Sequence, residues 1–500
     1  MSRTYPKILR NRKSRIARRL KARFWPEQPK PMFAASNIHY EMADKVQAIT
    51  CGGIGAIHLM VQKIGLVDDI DEKVSVLKRH LPYHESDHVL NLAYNILAGG
   101  VRLEDIELRR NDENYLDGLG AQRIPDPTTA GDFTRRFAPE DTLALMEAIN
   151  AARQRVWQLQ PEGFLDEAVI DVDGSLAGTL GQCKEGMDIS YKGIWGYHPL
   201  IVSLANTQEA LYLVNRPANV SSHQGAVPWI DRAIALVRPH AKSIFIRGDT
   251  DFSSTGEFDR WDDGQVKFVF GMDASPTLVS LAESLSESSW RGLTRTEPPI
   301  KTEPRERPEN VKERIVKERG YLNQRLESEQ VAEVEYKPGK CRRPYRLVIL
   351  RKNLSIERGE TVLFPEIRYF FYITNRRDLA WHEVVQEANQ RCNQENLIAQ
   401  LKGGVQALRL PVDDLESNWA YMVMAALAWN LKAWYGLLMP EKSRGREIVK
   451  MEFRSFLQRI ILIPAQIIRA GRKVIYRVLS YNGWLQDFFA TWEYLRHLRV

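Results

Sequence analysis

The stretch from residue 165 to 275 constrains the fold most, because it sets short apolar runs first between turn signals and then around a helix. Val169-Ile170-Asp171-Val172-Asp173, Leu200-Ile201-Val202-Ser203-Leu204 and Leu211-Tyr212-Leu213-Val214 are each strand-length and separated by connections rich in Gly and Asn, as in an antiparallel meander. A helical stretch from Val227 to Val237 precedes Ser243-Ile244-Phe245-Ile246-Arg247 and Lys267-Phe268-Val269-Phe270. Continuous apolar strands alternating with helices require a sheet covered on both faces, so this part of the chain predicts a mixed α/β core.

The flanks read differently. Residues 40–160 carry helical periodicity: Ser86 and Asp87 are candidate caps of a helix through Ala98, and a second short helix is expected after Pro127. Between Arg291 and Glu360 there are 18 basic and 12 acidic residues and several prolines, followed by strand-like runs at Val331–Tyr336 and Tyr345–Leu350. That segment reads as an inserted β-rich subdomain. The core resumes at Tyr369–Asn375 and continues into a long helix. The apolar run Trp419–Trp429 stops at Asn430 and Lys432, too short to span a membrane, and reads as a buried helix. The expected organisation is a basic arm (1–30), a helical DNA-binding region (31–164), a core in two halves (165–275 and 366–440) around the β-rich insertion (276–365), and a C-terminal helical region (441–500).

Charge narrows the partners. The net charge is +7, yet residues 1–23 alone hold ten Lys or Arg and no acid, which leaves the remainder at about −3. The arm (Arg3, Lys7, Arg10, Arg12, Lys13, Arg15, Arg18, Arg19, Lys21, Arg23) has a polyanion as its natural partner. Cys51, Cys183, Cys341 and Cys392 lie far apart and form no CxxC pair, which argues against a zinc cluster or disulfide framework. With no apolar leader behind the basic N-terminus, a soluble protein of a reducing cytosol is expected. Gly52-Gly53-Ile54-Gly55 lacks the lysine and Ser/Thr of a phosphate-binding loop. His80, His84 and His88 are spaced four apart, but Pro82 between the first two argues against a shared helical face.

Three acids stand where a sheet-based site would need them. Asp173 ends the first strand and Asp249 the fourth, and strand ends are where side chains emerge into a crevice. Asp171 shares the face of Asp173 by the two-residue period; Asp251 and Asp273 are further acids nearby. The third acid lies on the helix after Asn375. At 100° per residue, Arg391, Glu395 and Lys402 share a narrow stripe down three turns, ended by Gly403-Gly404. Each acid alone fits a turn cap or a surface ion pair as readily as chemistry.

Together these residues resemble the DDE transposases of bacterial insertion sequences, in the group marked by Tyr-x2-Arg-x3-Glu-x6-Lys. Arg391-x3-Glu395-x6-Lys402 matches three of the four signature positions, and Ala388 stands at the tyrosine. The strings DVDGS (171–175), GYHPLIVSL (196–204), RPANVSSHQGA (216–226), IRGDTDFSS (246–254) and YFFYITN (369–375) follow the family's order. The resemblance implies a ribonuclease H-like core in which Asp173, Asp249 and Glu395 ligate two Mg²⁺ (or Mn²⁺) ions, with Arg391 and Lys402 holding DNA phosphates. It also implies double-stranded DNA as partner, both terminal inverted repeats and target. A homodimer on the DNA and a cytoplasmic, nucleoid-associated location follow. The expected activity is cleavage that frees 3′-hydroxyls, then their joining to target. The rival expectations are a catalytically silent DNA-binding descendant and a metal-dependent nuclease without strand transfer. The tyrosine's absence leaves a hairpin intermediate undecided.

Overall fold

The computed structural model describes residues 4–21, 35, 37–41, 46–80, 82–293, 323–357, 366–390, 392–471 and 473–499. The expected basic arm is, from Thr4 to Leu20, a helix (α1). It is not a loose tail: Tyr5 stacks on Phe489 with ring centroids 5.0 Å apart, and Arg12 donates to the Ser480 carbonyl at 2.8 Å. Arg23 lies outside the described residues, as does Arg3.

The helical region begins with a two-residue strand β1 (Ala48–Ile49) and helix α2 (Ile54–Lys63). The glycines before α2 serve close packing: a Cβ on Gly53 would lie 1.8 Å from the Ile460 carbonyl oxygen. Helix α3 spans Glu85–Leu97 and starts earlier than its sequence suggests. His84 is its N-cap, Asp87 reaches back to the His84 N–H (2.9 Å), and Ser86 donates to Asp71 instead. Helix α4 (Pro127–Thr134) is capped by Asp126, and α5 (Pro139–Gln158) follows.

The core is one nine-stranded sheet. Its strands are β2 (Glu167–Gly174), β6 (Leu200–Leu204), β7 (Glu209–Val214), β8 (Ser243–Gly248), β9 (Val266–Met272), β10 (Arg291–Gly292), β11 (Asn323–Tyr336), β12 (Tyr345–Glu357) and β13 (Glu366–Thr374). A small separate sheet, β3 (Ala177–Gly178), β4 (Asp188–Ile189) and β5 (Trp195–Tyr197), rises between β2 and β6. The large sheet runs β10-β11-β12-β13-β9-β8-β2-β6-β7, with β2, β8 and β9 mutually parallel and the other pairs antiparallel. The segment read as an insertion therefore adds β11 and β12 to this sheet. β12 pairs with β13 from Arg346↔Thr374 to Leu354↔Glu366, so its backbone groups are satisfied by the core rather than by a sheet of their own.

Helix α6 (Val227–Val237) bridges β7 and β8, while α7 (Trp381–Asn389) and α8 (Cys392–Ala399) follow β13. The apolar run expected to be buried forms α9 (Leu415–Leu437), nearly all of it inaccessible, packed against α3, α5 and β7. Among the described residues no helix is long and apolar enough to cross a membrane. A fully buried pair joins α5, β7 and α9. Arg153 meets Glu209 at 2.9 Å, and Trp157 and Trp434 donate to the same carboxylate at 2.9 and 2.6 Å. With its oxygens satisfied, that ion pair escapes the several-kcal/mol cost of an unpaired buried charge (about 3–5).

The tail supplies β14 (Ala465–Ala470), β15 (Lys473–Val478) and α10 (Leu485–His497). β14 pairs with β15 and, through Ile49↔Ala465, with β1. The N-terminal helical region and the C-terminal region thus interlock.

Candidate active site

Strand register decides where the two aspartates stand. β2 and β8 are adjacent and parallel, with Ile170 opposite Ile246 and Asp171 opposite Arg247. Two residues further along both chains, Asp173 and Asp249 leave the same edge on neighbouring strands, a spacing of about 4.8 Å between backbones. Both are half-buried. Asp173 accepts its neighbour Gly174 N–H at 2.8 Å, and Asp249 caps the short turn Thr250–Phe252 by accepting from Asp251 N–H at 3.1 Å.

The helix carrying the third acid is fixed over that edge. Arg247, 2% exposed, forks onto Asp171 with Nε–Oδ1 2.7 Å and Nη2–Oδ2 2.9 Å. Its remaining nitrogen reaches Glu387 Oε2 at 3.0 Å, in the last turn of α7. One guanidinium therefore ties together β2 two residues before Asp173, β8 two residues before Asp249, and α7, the helix that precedes the one carrying Glu395. Gln394, buried, donates to the carbonyl of Ile201, which is the β6 partner of Asp173. The first turn of α8 thus lies above the Asp173 strand end. Lys402 is close enough that the charge of Asp173 opposes the fall in its pKa produced by desolvation.

The stripe drawn at 100° per residue does not run straight to Lys402. After Ala399 the chain widens into a π turn, Gln400–Gly404, closed by Val405 N–H to Gln400 O at 2.9 Å. That wider turn rotates Lys402 relative to Glu395, because each residue advances less around the axis than in an α-helix. Arg391 lies outside the described residues. Glu395 is exposed, and among the described residues no three His, Cys, Asp or Glu side chains are grouped as a metal site. Ala388, at the signature tyrosine's position, packs into a small cluster with Val384, Val385 and Phe245.

Sequence reasoning missed a clamp beside Asp173. His198 N–H donates to Arg216 O at 2.7 Å, and Arg216 Nε returns a bond to His198 O at 3.0 Å. His198 Nδ1 sits 2.9 Å from Val220 O, and Arg216 Nη1 donates to the carbonyls of Ser222 (2.9 Å) and Gln224 (2.8 Å). Two of the strings behind the resemblance, 196–204 and 216–226, are thus the two halves of one structure. A Cβ on Gly174 would lie 2.6 Å from His198 Nε2, which accounts for glycine directly after Asp173. Burial lowers the Arg216 pKa to about 10, so it stays charged at neutral pH. The spaced histidines upstream do other work: His80 bonds Glu85 at 3.0 Å, and His88 stacks on Phe133.

Comparison with known families adds the decisive observation: the profile described as transposase DDE domain group 1 matches residues 46–500. The chain belongs to the DDE transposase family. Among solved structures it is similar to the piggyBac transposase in a cryo-EM synaptic complex with hairpin DNA, at 13% identity and a TM-score of 0.35, over 82% of this chain and 81% of that one. No curated protein matches.

Proposed function

We propose that this transposase binds the ends of a bacterial insertion sequence, cleaves their phosphodiesters to free 3′-hydroxyls and joins those to target DNA. The observation that carries the reading is the parallel register that sets Asp173 and Asp249 at the same end of neighbouring strands, with α7 tied to that end through Arg247 and the Glu395 helix α8 tied to it through Gln394. The order of the first five core strands, three antiparallel and two parallel with helices on both faces, supports a ribonuclease H-like core.

The donor set suits Mg²⁺ or Mn²⁺: carboxylate oxygens without thiol or imidazole, which hard divalent ions prefer. Asp173 and Asp249 would hold the ions from the strand ends, and Glu395 would complete the set by swinging in from its exposed position on α8. Bound there, two such ions supply an activated oxygen nucleophile and neutralise the leaving oxygen. The chain's own contribution is to orient. Lys402, near Asp173, and Arg391 hold phosphate oxygens, the arginine by its two-pronged geometry. Ala388 offers no ring to the cut end, so no hairpin step is assigned to it. Two copies bridging two element ends would form the working complex.

Glu395→Gln keeps shape and removes charge. It is expected to bind element-end DNA like the parent yet fail to nick it in Mg²⁺, measured on an end-labelled duplex; nicking at the parental rate would sink the assignment. Supplying pre-cut ends with free 3′-hydroxyls separates the transposase from a nuclease, which would not join them. A pure binder would shift mobility and do nothing more.

A further inference from the structure

We propose that the groove between residues 77–79 and 82–83 on one side and helix α4 on the other is a second DNA contact, binding the phosphodiester backbone away from the acids through Lys78, Arg79, Arg123 and Arg136. This rests on the transposase reading and locates the contact within the helical region. The groove holds about 660 Å³; Lys78, Arg79 and Arg136 line it over Tyr83, His88 and Phe133, and among the described residues Asp132 is its one lining acid. The guanidinium of Arg123 stands over the ring of Tyr83, one of the lining residues, 5.8 Å from its centre.

Its charge is not balanced internally. All four cations are exposed, and among the described residues none of them makes an ion pair. The nearby acids are committed elsewhere. Asp126 accepts from Thr129 N–H at 2.8 Å as the cap of α4, Asp87 accepts from His84 N–H at 2.9 Å, and Asp132 pairs with Arg135 at 2.8 Å. Glu85 is buried, taking Leu77 N–H at 3.0 Å as well as His80. The floor is rigid: His88, 5% exposed, stacks on Phe133 with ring centroids 4.2 Å apart, and its Nδ1 is buried without a hydrogen-bond partner. Four cations on a firm floor, facing acids whose oxygens already hold backbone or arginine donors, form a seat for a repeating anion. A phosphodiester chain supplies one charge about every 3.4 Å of helix axis along one strand, whereas a free phosphate would satisfy only one or two of these groups. The groove is also linked to the segment that follows Asp173. Arg135, on the turn leaving α4, bonds Asp413 at 2.8 Å, and the Asp413 carbonyl receives Glu185 N–H (2.8 Å) from the loop between β3 and β4.

The test measures duplex affinity against salt for the full chain. Lys78→Gln/Arg136→Gln is expected to weaken binding ten-fold or more at 0.15 M salt and to flatten the log affinity versus log salt slope by about 2, near 0.9 per lost phosphate contact. Lys242→Gln/Arg238→Gln removes the same charge at the opposite edge of the sheet, beside the start of β8, and is expected to leave both quantities near the parent's. Equal weakening by the two pairs would show that net charge, not the groove, is read, and would overturn the proposal. An unchanged slope in the groove variant would also overturn it while leaving the transposase reading standing. A parent chain that binds no duplex at any salt would remove that reading itself. Arg79→Gln/Arg123→Gln, on different residues of the same groove, must reproduce the loss with an unaltered thermal melt.

Discussion

Arg247 organises the proposed site through its bonds to Asp171 and Glu387. Its fork onto Asp171 and its reach to Glu387 join segments 76 and 140 residues distant in sequence, and one partner alone would leave a charge buried and unpaired. Glu387→Ala keeps the Asp171 fork and frees α7. We expect nicking to slow by roughly ten- to a hundred-fold, the scale at which a misplacement of about 1 Å is felt, with duplex affinity unchanged. Glu387→Gln, which still accepts the guanidinium N–H, should recover most of the rate. Single-turnover nicking beside a binding titration checks this; equal rates in all three proteins would count against a positioning role. Asp173 and Asp249 were legible from sequence because each closes an apolar strand. Arg247 was not, since a basic residue in a strand reads as neutral text until its partners are known. Asp171, on the face shared with Asp173, turns out to be the arginine's counterion.

At the scale of elements, strands were easier to find than their neighbours. The runs at Val331–Tyr336 and Tyr345–Leu350 are strands, but whether they pair with each other alone or also with the core depends on β13, which periodicity cannot reveal. The turn after Ala399 was hidden for a related reason: a helical wheel assumes one angle per residue, and the i to i+5 bond at Val405 changes it. The paired strings 196–204 and 216–226 were visible as text, while their mutual grip was not. That grip predicts a specific coupling. Gly174→Ala pushes a methyl into His198 and is expected to cost about 1–3 kcal/mol, as over-packing does. His198→Ala in the same chain should relieve the clash, so the two losses would not add. Urea unfolding of the four proteins measures the interaction, and strict additivity would show that the imidazole is not what confines position 174.

For the molecule as a whole, the sequence divided the chain into consecutive regions, and the fold does not respect all the divisions. β1 needs β14, α2 packs against the segment around Ile460, and α1 lies on α10. Composition marks where texture changes, but it cannot show that an early strand borrows its partner from the tail. Charge misleads similarly: residues 24–500 average slightly negative, yet the acids in the α4 region are spent on caps and ion pairs, which leaves a cationic groove that a sum conceals. The interlock makes Gly53 intolerant. Gly53→Ala would set a methyl 1.8 Å from a backbone oxygen that cannot rotate away. We expect a loss of about 3 kcal/mol or more, read as a lowered thermal midpoint, and a variant melting with the parent would show that the 457–461 turn yields instead.

The pairing of Ile49 with Ala465 also sets a timetable for biosynthesis. At about 5–20 residues per second, tens of seconds separate the emergence of those two residues from a ribosome. Throughout that interval the segment around Ile49 has an unfilled edge and an uncovered apolar side, and its strand closes only after Ala465 has emerged.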